Sequence, residues 1–336
     1  MLRQLSFITI PFLVASAGLT GQELQVAELG ECQLESGEVI ESCRLGYRTV
    51  GTLAADSSNV VLFPTWFGGT SEHILSLLGP DGMIDTSEFF VVVVDAFGNG
   101  VSSSASNTDE QSGSAFPRIT IRDMVRHQHR FLTERLGISR LEAVVGISMG
   151  GMQAFEWAVS YPKFAEKIVP IVGSPRLGVY DIVLWETDLR ILDWFLDCRC
   201  QPPAAVRQGL FFLMGGPDFH ARVSPRDTLA GARKSLEAAS LTEGSAYDLS
   251  SQLQAMIDHD IAAPYGGSLE QAASRVEADF FVVVGLTDHV VTPGPALDFA
   301  QILEARTMEL GNDCGHSAPW CEADAFNSAV RNFLRQ

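Results

Sequence analysis

The stretch that decides the reading is LEAVVGISMGGMQAFEW, Leu141 to Trp157. Ala143-Val144-Val145 is a short apolar run of the kind that forms a buried strand. From Met149 the pattern turns helical, and it must stop before Pro162, whose ring disfavours helix in the residue ahead of it. Between the two, Gly146-Ile147-Ser148-Met149-Gly150 fits G-x-S-x-G. A strand that bends abruptly into a helix brings backbone close on both sides, and glycine is the residue that fits there. Ser148 is then held at the strand's C-terminal end with its hydroxyl presented, as a nucleophile would be. A phosphate cradle would carry a lysine after the glycines, whereas Met152-Gln153 follows here.

A serine hydroxyl is a weak nucleophile at neutral pH and needs a base held by an acid. Downstream, the apolar run Phe280–Val284 is followed by Gly285-Leu286-Thr287-Asp288, which puts Asp288 in a loop at a strand end. His316 follows the turn-rich Gly311-Asn312-Asp313-Cys314-Gly315 near the end of the chain. Ser148, Asp288 and His316 thus stand in the order nucleophile, acid, histidine. Asp313 is the alternative acid. His127 and His129 read as solvated helix positions, His259 as an ion-pair partner of its flanking aspartates, and His289 as too near Asp288 to share its geometry. An oxyanion site needs two backbone donors. The Met149 amide at a helix N-terminus supplies one, and the Pro64–Gly69 loop the other, from Trp66 or else Phe67.

Outward from this centre, Val60–Phe63 and Ile168–Val172 read as further buried strands, Phe89–Val94 as another, and Ile121–Leu136 as a helix closed by Gly137. Strands alternating with helices give a mostly parallel sheet covered on both faces. From 177 to 276 strand patterns vanish while large apolar residues such as Trp185 and Trp194 persist. That span is too long for a loop and reads as a helical cap inserted into a core of 18–176 and 277–336.

Composition narrows the class. The chain has 336 residues, 46% of them hydrophobic, enough to bury a sizeable core. Its net charge of −18 argues against nucleic-acid or anionic-membrane partners. Arg3, the apolar stretch Leu5–Val14 and Ala15-Ser16-Ala17 form a signal-peptide pattern with cleavage expected after Ala17, leaving no membrane span. The six cysteines lie beyond that point and point to disulfides in an exported chain, secreted or periplasmic. Cys32 and Cys43 flank a hairpin turn. Cys314 with Cys321 comes next, which leaves Cys198 with Cys200. No metal-ligand spacing and no cofactor motif is present, so neither is expected.

Taken together, the residues resemble the homoserine O-acetyltransferase family of the α/β-hydrolase superfamily. The resemblance runs through Tyr47–Leu53, Gly79-Pro80, Ile84-Asp85-Thr86, Phe116-Pro117, Thr120–Val125, Gly146–Ala158 and Ile257-Asp258-His259-Asp260-Ile261. It implies the α/β-hydrolase fold, acyl transfer through an acyl-serine, and a cap that can join two copies in a homodimer. Three segments depart from it. Ser317 follows His316 where those transferases typically place an aspartate for the substrate ammonium, Pro64–Gly69 replaces a Leu-Thr-Gly type loop, and Phe97-Gly98-Asn99-Gly100 replaces Gly-Cys-Tyr-Gly. Outside the cytoplasm acetyl-CoA is scarce, so the expectation is an esterase acting on small-molecule esters of small or medium acyl groups. An O-acyltransferase, or a binding protein without turnover, are the alternatives.

Overall fold

The computed structural model describes residues 23–198, 214–224, 226–238 and 242–336. Residues 1–17, where a signal peptide is expected, and Cys200 lie outside the described residues. Eight strands form one sheet in the order β1-β2-β4-β3-β5-β6-β7-β8. They are β1 (Gln25–Gln33), β2 (Val39–Val50), β3 (Val60–Pro64), β4 (Phe90–Val94), β5 (Leu141–Ile147), β6 (Ala165–Ile171), β7 (Asp279–Gly285) and β8 (Arg306–Leu310). β1 and β2 pair antiparallel with each other, β2 pairs antiparallel with β4, and every other neighbour is parallel. The expected α/β-hydrolase architecture is present.

The central strands read as unbroken apolar runs because both of their faces are covered. In β3, Val60 and Leu62 enter one core cluster while Val61 and Phe63 enter the other. In β7, Phe280, Val282 and Val284 divide from Phe281 and Val283 in the same way. Each such side chain, fully buried, contributes about 1.5–3 kcal/mol. β8 went unread in the sequence because it is an edge strand whose burial is confined to Leu310 and partly Met308, so it offers no apolar run.

Among the described residues the helices are α1 (Ser71–Leu75), α2 (Ile121–Glu134), α3 (Met149–Ser160), α4 (Val179–Cys198), α5 (Pro217–Val223), α6 (Leu229–Ala238), α7 (Glu243–Ile257), α8 (Leu269–Ala273), α9 (Gly294–Ile302), α10 (Ala318–Cys321) and α11 (Ala323–Leu334). α4 to α8 all fall between β6 and β7. α4 packs along α7, whereas α8 packs against α9 beside the sheet. α2 begins at Thr120, whose hydroxyl accepts from the Asp123 N–H while the Asp123 carboxylate accepts from the Thr120 N–H, a reciprocal cap.

Two disulfides staple the core. Cys32–Cys43 joins β1 to β2 with a Cα separation of 5.7 Å, and Cys314–Cys321 spans 6.5 Å across the turn that carries His316. Cys198 is also disulfide-bonded, but its expected pairing with Cys200 involves a residue outside those described. No described helix is long and apolar enough to cross a membrane.

The other histidines are not where the sequence suggested. His127 is buried rather than solvated, because it lies on the inner face of α2 with Nε2 3.1 Å from the Gln33 carbonyl oxygen. His129 is half-buried and stacks on Tyr161 with ring centroids 4.0 Å apart. His259 makes no ion pair with its neighbours. It is buried with Nε2 3.2 Å from the Ser174 carbonyl oxygen, and Asp258 pairs instead with Arg118. Burial holds His259 down to about 3 and His127 to about 4, so both are neutral at pH 7.

Candidate active site

Strand order reverses at β3, since its chain successor β4 lies on one side and β5 on the other. In open α/β sheets a crevice forms at such a point, outside the strands' carboxyl ends. Ser148 stands there, between β5 and α3, at φ 58° and ψ −121°. A non-glycine residue at that conformation is strained and is held only by its surroundings. Its N–H is fixed to the Ile171 carbonyl oxygen at 2.8 Å. A Cβ on Gly146 would overlap the Gly150 carbonyl, and one on Gly150 would come within 2.6 Å of the Pro64 carbonyl oxygen. The two glycines are therefore what lets the turn close against β3.

Asp288 and His316 arrive from neighbouring strand ends. Asp288 follows β7, and its Oδ1 accepts the N–H groups of Val290 and Val291 at 2.8 and 3.1 Å. His316 follows β8 in a short 3₁₀ turn, Gly315–Ser317. The Thr287 hydroxyl ties the two loops together, donating to the Asn312 carbonyl oxygen at 2.8 Å and accepting from the Gly315 N–H at 3.1 Å. His316 Nδ1 lies 2.7 Å from Asp288 Oδ2, and His316 Nε2 lies 3.0 Å from Ser148 Oγ. The three residues named from the sequence thus meet in one buried chain of hydrogen bonds. Asp313, the alternative acid, is engaged elsewhere, paired with Arg222 of α5 at 2.6 Å.

The loop after β3 lies against the start of α3, where the Gln153 side chain donates to the Thr65 carbonyl oxygen at 3.0 Å. Among the described residues neither the Met149 nor the Trp66 backbone N–H donates to another protein group. The Gly68 N–H, in contrast, is taken by Gln252 Oε1 at 2.8 Å. The same Gln252 amide donates to the Phe97 carbonyl oxygen at 2.9 Å. Sequence reasoning missed Gln252, and no local signal marks it: a glutamine inside α7 reads as a surface helix position. Only the fold brings it onto two loops more than 150 residues away. Among the described residues no cluster of three His, Cys, Asp or Glu side chains could hold a metal ion.

Residues 59–323 match the family described as the alpha/beta hydrolase fold. The chain belongs to the α/β-hydrolase family. Within it, the resemblance to homoserine O-acetyltransferases is borne out: that of Rhodospirillum rubrum is 26% identical over 353 residues, covering 90% of this chain and 89% of its own. The ethyl acetate hydrolase of Pseudomonas veronii is 40% identical over 164 residues, covering 48% of this chain. That match spans only about half of the relative's length, 47%. Among solved structures, the acetyl esterase MekB superposes with a TM-score of 0.83 at 27% identity, over 94% of this α/β-hydrolase and 98% of that chain.

Proposed function

We propose that the protein is an exported serine esterase that cleaves small-molecule esters of small or medium acyl groups. The observation that carries this reading is the continuous contact from Ser148 Oγ through His316 to Asp288. In the proposed reaction His316 Nε2 takes the proton as Ser148 Oγ attacks the ester carbonyl. Asp288, whose other oxygen is held by two amides, keeps Nδ1 protonated and stabilises the imidazolium. The Met149 and Trp66 amides, free of protein acceptors, receive the oxyanion, and the α3 N-terminus adds its dipole. The tetrahedral intermediate collapses, and His316 hands its proton to the departing alkoxide. Water activated by the same histidine then releases the acid from the acyl-serine.

Water is favoured as acceptor over homoserine because Ser317 puts no charge beside His316. The ammonium of homoserine, seated beside His316, would be desolvated at that point without a partner. The relatives named as esterases support hydrolysis, and the one named as an acetyltransferase supports the second reading, O-acyl transfer from an acyl donor. Export rests on the signal-peptide pattern and is consistent with the disulfides. A second copy would cover the outward face of α4, where Val179, Tyr180, Val183 and Trp194 are exposed.

The test is release of p-nitrophenol from its acetate and butyrate esters, with and without acetyl-CoA and homoserine. Acceptor-independent release that vanishes in Ser148→Ala, with an acetyl mass on Ser148 in a rapid quench, is the expected result. Acetyl appearing on homoserine in preference to water would replace this reading with transfer. An N-terminus at Gly18 in exported protein checks the cleavage, and retention of Met1 would remove the export argument.

A further inference from the structure

Two buried aspartates on α4 have opposite surroundings. Asp181, in the first turn, is satisfied by the Gly178 N–H, the Thr292 N–H and the Thr292 hydroxyl at 3.0, 2.9 and 2.7 Å. Asp188, seven residues on, is only 6% exposed, yet its Oδ2 is fully enclosed with no hydrogen-bond partner. Neither of its oxygens meets a donor or a counter-ion among the described residues. A buried carboxylate left this way is expensive, and a fold gains nothing from keeping it.

Its position says what it is for. Asp181, Trp185, Asp188, Leu192 and Phe195 form the buried stripe of α4 at alternating spacings of four and three. Trp185 fixes where that stripe points. Its indole N–H donates to the Val290 carbonyl oxygen at 3.1 Å, in the very loop whose amides hold Asp288, and its ring lies 6.0 Å from Phe67, next to Trp66. Helical side chains lean toward the N-terminus, so Asp188 leans over the turn of Trp185. It thus lies on the inward stripe that Trp185 brings against the loops of Val290 and Phe67, and not on the outer surface of the insertion. Burial pushes its pKa up to about 6, which still leaves it chiefly ionised at neutral pH.

We infer that Asp188 is a specificity-determining residue that receives a hydrogen-bond donor carried by the substrate, a hydroxyl or an ammonium. The inference rests on the esterase reading above, and it narrows the substrate class to esters whose alcohol part bears such a donor.

The experiment compares three acetate esters of matched length: n-butyl acetate, 3-hydroxypropyl acetate and 3-(dimethylammonio)propyl acetate. Each is followed by kcat/KM at pH 7.5 in the wild type, Asp188→Asn and Asp188→Leu. The wild type should favour a donor-bearing ester by at least about tenfold over the butyl ester. A preference for the ammonium ester alone, lost in Asp188→Asn, identifies a cation. A preference for the hydroxyl ester that survives in Asp188→Asn and disappears in Asp188→Leu identifies an alcohol. Both variants should melt higher than the wild type, whereas a merely structural aspartate would lower the melting temperature when replaced. Equal kcat/KM for all three esters in the wild type, or a preference unchanged in Asp188→Leu, overturns the assignment. Calorimetric titration of the same esters into Ser148→Ala protein separates the two readings. No turnover of any ester by the wild type sinks the esterase, while equal affinity for the three esters in Ser148→Ala sinks the role of Asp188.

Discussion

The catalytic chain proposed for the crevice and the inward stripe of α4 differ at one polar group. In the crevice every polar atom of the Ser148–His316–Asp288 chain that bears on its alignment has a protein partner: His316 uses both nitrogens and Asp288 both oxygens. In the insertion, Asp188 Oδ2 is enclosed with none. Preorganised chemistry requires the first arrangement, because any slack in the base or its acid is repaid as barrier height. Recognition of a ligand leaves the second, since a group that waits for a substrate has to be free beforehand. The largest effects should therefore come from the crevice. Ser148→Ala or His316→Ala should lower kcat by about 10⁶-fold with folding intact, and Asp288→Asn by about 10⁴-fold, read from ester turnover and melting temperature together. A Ser148→Ala protein that retained a tenth of its turnover would break the comparison at its root.

The next effects come from contacts that cross from one region to the other. Gln252 pins the loop after β3 by accepting from the Gly68 N–H and donating to the Phe97 carbonyl oxygen. Gln252→Leu leaves both groups unpaired and lets the Trp66 amide drift, so kcat should fall roughly 10- to 100-fold, less than the 10²- to 10³-fold of losing an oxyanion donor outright. A change in KM with kcat preserved would mean that Gln252 shapes the binding pocket alone. On the far side, Cys314–Cys321 closes the turn bearing His316. Replacing both cysteines by serine should cost about 2–3 kcal/mol of stability by loop-closure entropy and lower kcat by severalfold. Stability lost with full activity would show that the Thr287 hydroxyl holds the loop unaided.

How much of this could be read without coordinates follows the same division. The buried strands announce themselves, since Val60–Pro64, Phe90–Val94 and Asp279–Gly285 are buried on both faces and so carry apolar runs. Ser148, Asp288 and His316 are legible because the fold fixes where along the chain such groups must follow a strand. β8 is not, because an edge strand with four of its five positions partly or fully exposed has no hydrophobic signature. Gln252 and Asp188 are not legible either. Each is one polar residue in a helix, and its meaning depends on which loop the helix faces. His127 misleads for the same reason: its spacing on α2 allows either face, and packing against Phe97, with ring centroids 5.8 Å apart, decides it.

That histidine provides the gentlest probe of the contrast, because it is incompletely paired but makes no contact with Ser148, His316 or Asp288. Nε2 contacts the Gln33 carbonyl oxygen while Nδ1 is enclosed without a partner. Burial, with Arg126 and Arg130 adding to it, lowers its folded value to about 4. The unfolded chain takes up the proton near 6.5, so this contribution to stability is complete above that pH and is lost as pH falls toward 4. His259 behaves likewise down to about 3. Each group adds a slope of at most about 1.4 kcal/mol per pH unit within its window. Urea midpoints measured from pH 7.5 to 5 should therefore decline, and His127→Gln, which can still donate to Gln33, should flatten the decline by one group's share. Ester turnover at pH 7.5 should be unchanged in that variant, because neither partner of His127 touches Ser148, His316 or Asp288. An undiminished slope would mean that His127 takes up its proton equally in the folded and unfolded chain, and that its enclosure on α2 has no energetic consequence.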